Sequence, residues 1–345
     1  ASKLVPLMAV IYFGGALVVV VENYQNIIPS LHSIFSQVFS GSAAAGGFLG
    51  ASFAMSLKLG VARGLYSNEA GQGSSPIAHA SSKVEHSVEQ GMVSILEPFI
   101  DTIIVCSVTA LVILSSGAWT QKYDNTFERS SMAIFEGSYN ESNAGDVEEL
   151  GKYILDARNF TSDTTAVKNF SGDLTVVDGL LQQNDITIFH NNSIAEDVVF
   201  YKSGLPFNGV LEISNGDIED SLVKVEGKSL IHSAALTSKA FASGVLGIYG
   251  EYIVAIGLLL FAFSTAIAWS YYGDRSTAYI FGEGAVPWYR MIYVVSFIAA
   301  AVIDTTIIWN IAYVVVALVT IPNLIALFIL RKEMKEQVTS YVMDK

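Results

Sequence analysis

Cysteine is almost missing from this chain: Cys106 is the single one among 345 residues. It sits in the apolar run Ile103–Val108, so no internal disulfide and no cysteine metal cluster can form. Charge is scarce too, at 15% of residues, where a soluble domain carries about 25%. Basic charge is scarcest. Nineteen Lys and Arg stand against 32 Asp and Glu, a net of −13, which argues against nucleic-acid binding. No HExxH helix and no nucleophile elbow occurs. Gly227-Lys228-Ser229 looks like the end of a phosphate loop, but Leu222 stands where the leading glycine belongs, so that match fails. These absences leave enzymatic readings poorly supported.

What the chain has in quantity is apolar sequence, 52% of its residues, with a mean hydropathy of +0.46. The apolar residues come in runs long enough for a bilayer, which asks for about 20 per helix. Six transmembrane helices are expected, at about Leu4–Val21, Ala43–Leu65, Met92–Ser115, Tyr252–Tyr272, Tyr289–Ile303 and Ile307–Leu330. A short amphipathic piece follows the first, at Ile28–Phe39. The second span is weak. Its start, Gly41–Phe53, is built of small residues, which suit close packing or a broken helix lining a site. No cleavable signal peptide is visible. The chain opens on Ala1-Ser-Lys-Leu-Val-Pro6 and leads straight into a span, which points to a longer protein.

Residues 117–235 differ in character and divide the chain into 1–116, 117–235 and 236–345. This middle segment holds 19 Asp and Glu against 8 Lys and Arg, a net of −11. Runs such as Asp185–Phe189 and Val223–Glu226 look like strands. The segment is long enough for a small folded domain, and long structureless loops are uncommon. It carries four sequons, at Asn140, Asn159, Asn169 and Asn191. Orientation follows from basic residues in the short loops. Lys3, Arg63, Lys83, Arg275, Arg290, Arg331, Lys332 and Lys335 all fall on one side of six spans. Both ends are then cytoplasmic and the acidic insert is outside.

Between the second and third spans lies Gly60-Val-Ala-Arg-Gly-Leu-Tyr-Ser-Asn-Glu-Ala-Gly-Gln-Gly-Ser-Ser-Pro-Ile-Ala-His79. Such a glycine-rich run cannot face lipid, where unpaired backbone groups cost several kcal/mol each. Gly46–Gly50, Phe99–Thr102 with Thr109–Leu114, Phe261–Gly273 and, more weakly, Trp309–Ala312 with Ile321–Leu324 complete a set of blocks. Together they resemble the sodium:alanine (amino acid–cation) symporter family, a branch of the transporters with the leucine-transporter fold. The resemblance implies an all-α membrane protein of the APC superfamily, with only part of the helical bundle: the last helix of the first repeat and all of the second. The first core helix would then be missing, with much of the substrate and sodium site. The insert at 117–235 has no counterpart in the family pattern. The family usually carries Asp where this chain has Tyr313.

By that resemblance the function is sodium-coupled symport of a small neutral amino acid, with Na⁺ as coupling ion and the lipid bilayer as surroundings. Phe261 (through its carbonyl), Ser264 and Thr265 would hold sodium; Phe48, Ser52, Ser56, Thr265 and Trp269 would line the substrate pocket. From the residues alone, a helical Ser or Thr commonly bonds its own preceding turn, and Trp269 reads equally as interfacial. Phe48, Ser52 and Ser56 share an i, i+4, i+8 stripe if the span is one helix, and serines there also suit simple close packing. Arg63, Asn68 and Glu69 sit in the glycine-rich run, with Arg63 and Glu69 read as a structural or gating pair on the cytoplasmic side. His79 and His86 flank that run and are expected at the surface. Glu97 and Asp101 are intramembrane carboxylates, a functional signal by default. Asp101 either pairs with Lys58 or is a hydrogen-bonded structural carboxylate. A channel, or a non-transporting protein whose acidic insert binds a ligand, are the other classes compatible with these features.

Overall fold

The computed structural model describes all residues except 1–3, 40–43, 46–47, 50–52, 68, 158–164, 304 and 344–345. The chain begins with α1 (Leu4–Glu22) and α2 (Ile27–Phe39), then two short strands, β1 (Ala44–Ala45) and β2 (Phe48–Leu49). Helices α3 (Phe53–Ser67), α4 (Glu69–Gln72) and α5 (Ser75–His79) follow. A long helical passage comes next: α6 (Ser87–Ser94), α7 (Leu96–Pro98), a π-helical turn at Phe99–Val105, and α8 (Cys106–Ser116). Pro98 has no N–H to give to the preceding turn, which is where the ladder shifts to the wider register.

The acidic segment folds as β3 (Tyr123–Thr126), β4 (Met132–Glu136), α9 (Ala144–Ala157), β5 (Gly172–Val177), β6 (Leu180–Leu181) and β7 (Ile186–His190). It continues through β8 (Ser193–Ile194), β9 (Glu196–Lys202), β10 (Leu205–Pro206), β11 (Gly209–Ser214), β12 (Asp217–Ile218) and β13 (Val223–Ser229). Helices α10 (Ser233–Ala242), α11 (Ile248–Phe281), α12 (Val286–Val302) and α13 (Thr305–Met343) close the chain.

Five helices are long and apolar enough to cross a membrane among the described residues: Val5–Glu22, Ser87–Ser116, Ile248–Phe281, Glu283–Val302 and Ile307–Met343. The expected second span, Ala43–Leu65, is not one of them. Its helix starts only at Phe53 and has 15 residues, about 22 Å at 1.5 Å per residue. It also carries Lys58 and Arg63. The segment before it pairs as a small antiparallel hairpin, Ala44 opposite Leu49 and Ala45 opposite Phe48. Small residues hold a helix weakly, and here an alternative partner takes the backbone. Leu49 N–H donates to the Asn192 carbonyl (2.8 Å), and the Asn192 side chain donates back to the Leu49 carbonyl (3.1 Å). The Leu49 side chain is buried with Phe135, Leu150, Ile154 and Phe189.

The expectation of an all-α fold is corrected by the insert, which is largely sheet. Three of its sheets have the orders β10-β9-β13-β3, β12-β11-β5-β6 and β4-β7-β8, with antiparallel pairing throughout. Alternation explains the strands. In β13 Val223, Val225, Gly227 and Ser229 are buried while Lys224 and Glu226 are exposed, the period-2 pattern of a half-buried sheet. Phe127, Ile134, Leu174, Val176, Phe200, Leu211 and Ile213 form the core. Four hairpins close with two-residue turns, Asp178-Gly179, Asn191-Asn192, Ser203-Gly204 and Asn215-Gly216, all eight residues at positive φ. Such turns match the right-handed twist of the strands they join. Gly227, of the failed phosphate-loop match, lies in mid-strand, where a Cβ would come within 2.8 Å of the Glu196 carbonyl.

Two compact units emerge. One holds residues 1–14, 59–110 and 255–345, the other 15–58 and 111–254. In the second, Asn26 donates to the Ser115 carbonyl (2.8 Å), and Glu22 accepts from the Val245 N–H (3.2 and 3.0 Å). In the first, Tyr12 and Thr109 hydroxyls bond at 2.7 Å, and the Tyr12 ring meets Phe261 edge-on. Large apolar side chains such as Leu259, Phe297 and Phe328 are exposed along its helices, as lipid contact requires.

Candidate substrate and cation site

The glycine-rich run is a helix break whose loose carbonyls are met by side-chain amides. Buried Gln72 donates from Nε2 to the Leu65 (2.7 Å) and Tyr66 (3.2 Å) carbonyls at the end of α3. Asn323, from α13, donates from Nδ2 to the Ala70 and Gly71 carbonyls of α4, both at 3.0 Å. The last carbonyls of a helix have no partner within it, and here side-chain amides supply one. Gly73 follows at φ +85°, directly against the Asn323 side chain. Ser74 Oγ then donates to the Glu69 carboxylate (3.2 Å).

Arg63 and Glu69, expected as a pair, form no ion pair among the described residues. Arg63 lies over the Trp309 ring, 4.3 Å from its centroid, a cation–π contact that suits a guanidinium short of water. Trp309 belongs to an aromatic cluster with Tyr66 (5.6 Å) and Tyr313, which is 5.4 Å from Tyr66. Asn68 lies outside the described residues. Asp101, in the π-turn, accepts from Ser67 Oγ at 2.5 Å, with Thr102 at 3.4 Å from the same hydroxyl. It is thus hydrogen-bonded through its carboxylate.

Glu97 collects a small network. Its Oε2 accepts from buried Ser75 (2.5 Å) and lies 3.1 Å from His79 Nε2; Gln90 Nε2 is 2.6 Å from His79 Nδ1. His79 is therefore half-buried and bonded rather than free at the surface. His86 is exposed and stacks edge-on with Tyr341.

On α11, Ser264 Oγ donates to the Phe261 carbonyl at 3.0 Å. Two oxygen atoms of the expected sodium group are thus adjacent, through the local back-bond that a helical serine makes. Thr265 is exposed, and Trp269 is partly exposed with its ring 6.0 Å from Tyr272. The Tyr293 hydroxyl, from α12, donates to the Ala266 carbonyl (2.9 Å) and fixes this stretch. The proposed Phe48–Ser52–Ser56 stripe is not one helix face. Phe48 is in β2, Ser52 lies outside the described residues, and Ser56 is in the first turn of α3. The period-3.6 argument needs a continuous helix from 48 to 56, and the helix starts at Phe53. Ser56 belongs to one compact unit, and Ser264, Thr265 and Trp269 belong to the other. Among the described residues no group of three His, Cys, Asp or Glu side chains is placed to hold a metal.

The family profile of sodium:alanine symporters matches residues 1–143 and 220–345. The chain belongs to the sodium:alanine symporter family. Among its relatives, an uncharacterized transporter of Haemophilus influenzae is 28% identical over 99% of this chain and 51% of its own length. The sodium/alanine symporter AgcS of Methanococcus maripaludis is 28% identical over 95% of this chain and 48% of its own. A sodium/proton-dependent alanine carrier protein of a Bacillus species is 34% identical over 37% of this chain and 28% of its own. The chain spans about half the length of the first curated relatives it matches. No solved structure matches it.

The expectation that all of 117–235 lacks a counterpart is corrected: the symporter profile passes over residues 144–219 alone, so the family pattern includes β3, β4 and β13, and the passed-over stretch holds α9 and β5 through β12. Within the symporter blocks, sequence reasoning missed Gln72 and Asn323 as structural partners of the helix break. Both were visible as uncharged amides in apolar or glycine-rich surroundings, and Asn323 directly follows the helix-interior Pro322.

Proposed function

We propose that this chain forms part of a carrier that moves a small neutral amino acid, alanine or glycine first, across the membrane together with Na⁺. Membership of the symporter family carries the reading. The adjacent Ser264 hydroxyl and Phe261 carbonyl on an apolar helix support it, since Na⁺ is a hard ion that takes hydroxyl and carbonyl oxygens. Thr265 adds a hydroxyl one residue on, and Trp269 lies one turn beyond it, as a wall for a small side chain. Ser56, with Phe48 and Ser52, remains proposed for the same pocket on the family resemblance. Labelled L-alanine uptake into proteoliposomes of the complete protein tests the function: accumulation should require an inward Na⁺ gradient. Equal uptake with and without the gradient would remove sodium coupling. Thr265→Ala should raise the Na⁺ concentration for half-maximal uptake by roughly tenfold to a hundredfold, since one lost contact to a charged group is worth about 1.5–3 kcal/mol.

The loops rich in Lys and Arg are proposed to face the cytoplasm, and residues 117–235 the outside, as an accessory module. An acidic surface is repelled by an anionic inner leaflet. Asn169 and Asn191 both use their amide nitrogens internally, toward Asn215 Oδ1 and the Leu230 carbonyl. With Cys106 replaced by Ser, a cysteine at Ser171 should react with an impermeant thiol reagent on intact cells. One at Ser82 should not. The reverse pattern would invert the topology.

A further inference from the structure

A cleft of about 720 Å³ opens between α5, with the turn after it, and the last third of α11. Ile77 and Ile280 give it apolar walls, while Ser81, Tyr271 and Ser276 give it hydroxyls. Arg275 is the one charged side chain among its lining residues. The guanidinium lies over the Tyr271 ring, 5.0 Å from the centroid, and polar contacts join the Tyr271 hydroxyl to both Ser81 and Arg275.

The neighbouring charges sharpen this. Asp274, adjacent in sequence, is taken by Arg290 from α12, which grips it through Nε at 3.1 and 3.0 Å and Nη2 at 2.7 Å. Arg275 makes no ion pair among the described residues, whereas Arg290 does. Asp274 and Glu283 line a smaller cleft beside Arg275, yet neither makes an ion pair with it among the described residues. A guanidinium so placed, beside hydroxyls in an open cleft, is a receptor for an anionic group, because its fork of donors matches carboxylate geometry.

Its position gives the anion a source. Arg275 is ten residues beyond Thr265 on the same continuous helix, about 15 Å along the axis. The volume lies in the range of ligand pockets. That is ample for a small amino acid with its water, as suits passage rather than tight capture.

We propose that this cleft is the chamber through which the substrate passes between the middle of α11 and the cytoplasm, with Arg275 receiving its carboxylate. This rests on the carrier reading above. Arg275 is a recognition group, and the ammonium end of the substrate stays with water and the hydroxyls.

Labelling kinetics in phosphatidylcholine proteoliposomes test this in the full protein. With Cys106 replaced by Ser, Ile280→Cys puts one thiol at the rim of the cleft. L-alanine should slow its reaction with a thiol reagent by about fivefold, a modest occupancy effect. L-alaninamide, which keeps the ammonium but lacks the carboxylate, should not slow it. Arg275→Gln should abolish the protection and Arg275→Lys should keep part of it, which a merely structural role for Arg275 would not produce. Sodium-driven uptake is measured in the same vesicles. Uptake without protection overturns the chamber and leaves the carrier standing. Protection without uptake overturns the carrier and keeps the anion site; absence of both overturns both. Protection by added phosphatidylglycerol without alanine would assign Arg275 to lipid phosphate and overturn its role toward substrate.

Discussion

Gly73→Ala should destabilise the helical unit by about 2–4 kcal/mol and lower the thermal midpoint in detergent. Gly73 sits at φ +85°, where a non-glycine L-residue loses about 1–2 kcal/mol. The added Cβ would also lie 2.9 Å from Asn323 Cγ and Oδ1, closer than side-chain carbon contacts allow. Asn323 would have to move, and it supplies the donors to the Ala70 and Gly71 carbonyls. Each such bond contributes about 0.5–1.5 kcal/mol. The two residues are therefore coupled, and a double-mutant cycle reads the coupling. In an Asn323→Ala background the contacts with Cγ and Oδ1 are gone and only the one with Cβ, at 3.0 Å, remains, so Gly73→Ala should cost little beyond the backbone strain, about 1–2 kcal/mol. Strict additivity of the two changes would show that Asn323 does not hold the turn.

That turn shows how far the sequence could be read. The glycine-rich run announced a helix break that could not face lipid, because backbone polarity in a membrane admits no other reading. It did not announce the partner, since Asn323 lies 250 residues away from Gly73 and only the fold brings them together. The long apolar helices α1, α11, α12 and α13 were legible from hydropathy alone. Gly41–Phe53 was not. Its small residues leave hydropathy and propensity nearly flat, so contact with Asn192 and the core around Leu49 decides its conformation.

The insert was legible as a folded body but not as an ordered series of hairpins. The signal was there. Asp178-Gly179, Asn191-Asn192, Ser203-Gly204 and Asn215-Gly216 recur at a near-constant interval between short apolar-alternating runs. Asp-Gly and Asn-Gly are strong hairpin signals, while Asn-Asn and Ser-Gly are weaker, and that hid the repeat. At the candidate site the oxygen-bearing residues of α11 stood out as polar groups in an apolar helix. The Arg63–Glu69 pairing failed because charge complementarity in sequence ignores a third option, the face of an aromatic ring, which Trp309 supplies.

The acidic insert should lose stability as pH falls from about 6.5 toward 4, a loss that sets in before its carboxylates titrate. The cause is His190. Its ring is buried, stacked on Phe127 with centroids 4.3 Å apart. The Glu128 N–H donates to Nε2 (3.3 Å), which leaves the proton on Nδ1 to be donated to Ser229 Oγ (2.7 Å). Both nitrogens are committed to the neutral ring. Burial pushes its pKa down from 6.5 to about 4, and the nearby His232 adds to the shift. In the unfolded chain the same imidazole takes a proton below about 6.5. Between the two values the unfolded state binds more protons than the native state, so stability rises with pH across this window. It is fully present above 6.5 and is lost as pH falls to 4, by about 2–3 kcal/mol. Hydrogen exchange on the full chain in nanodiscs, corrected for intrinsic rates, should show protection falling first in β7 and β13, which carry His190 and Ser229. His190→Phe keeps the stacking area but cannot titrate. It should lower stability at neutral pH, because Ser229 and the Glu128 N–H lose their partner, and it should flatten the dependence between pH 6.5 and 4.5. Equal protection of both strands in the parent chain across that window would show that the His190 ring is not held neutral by the fold.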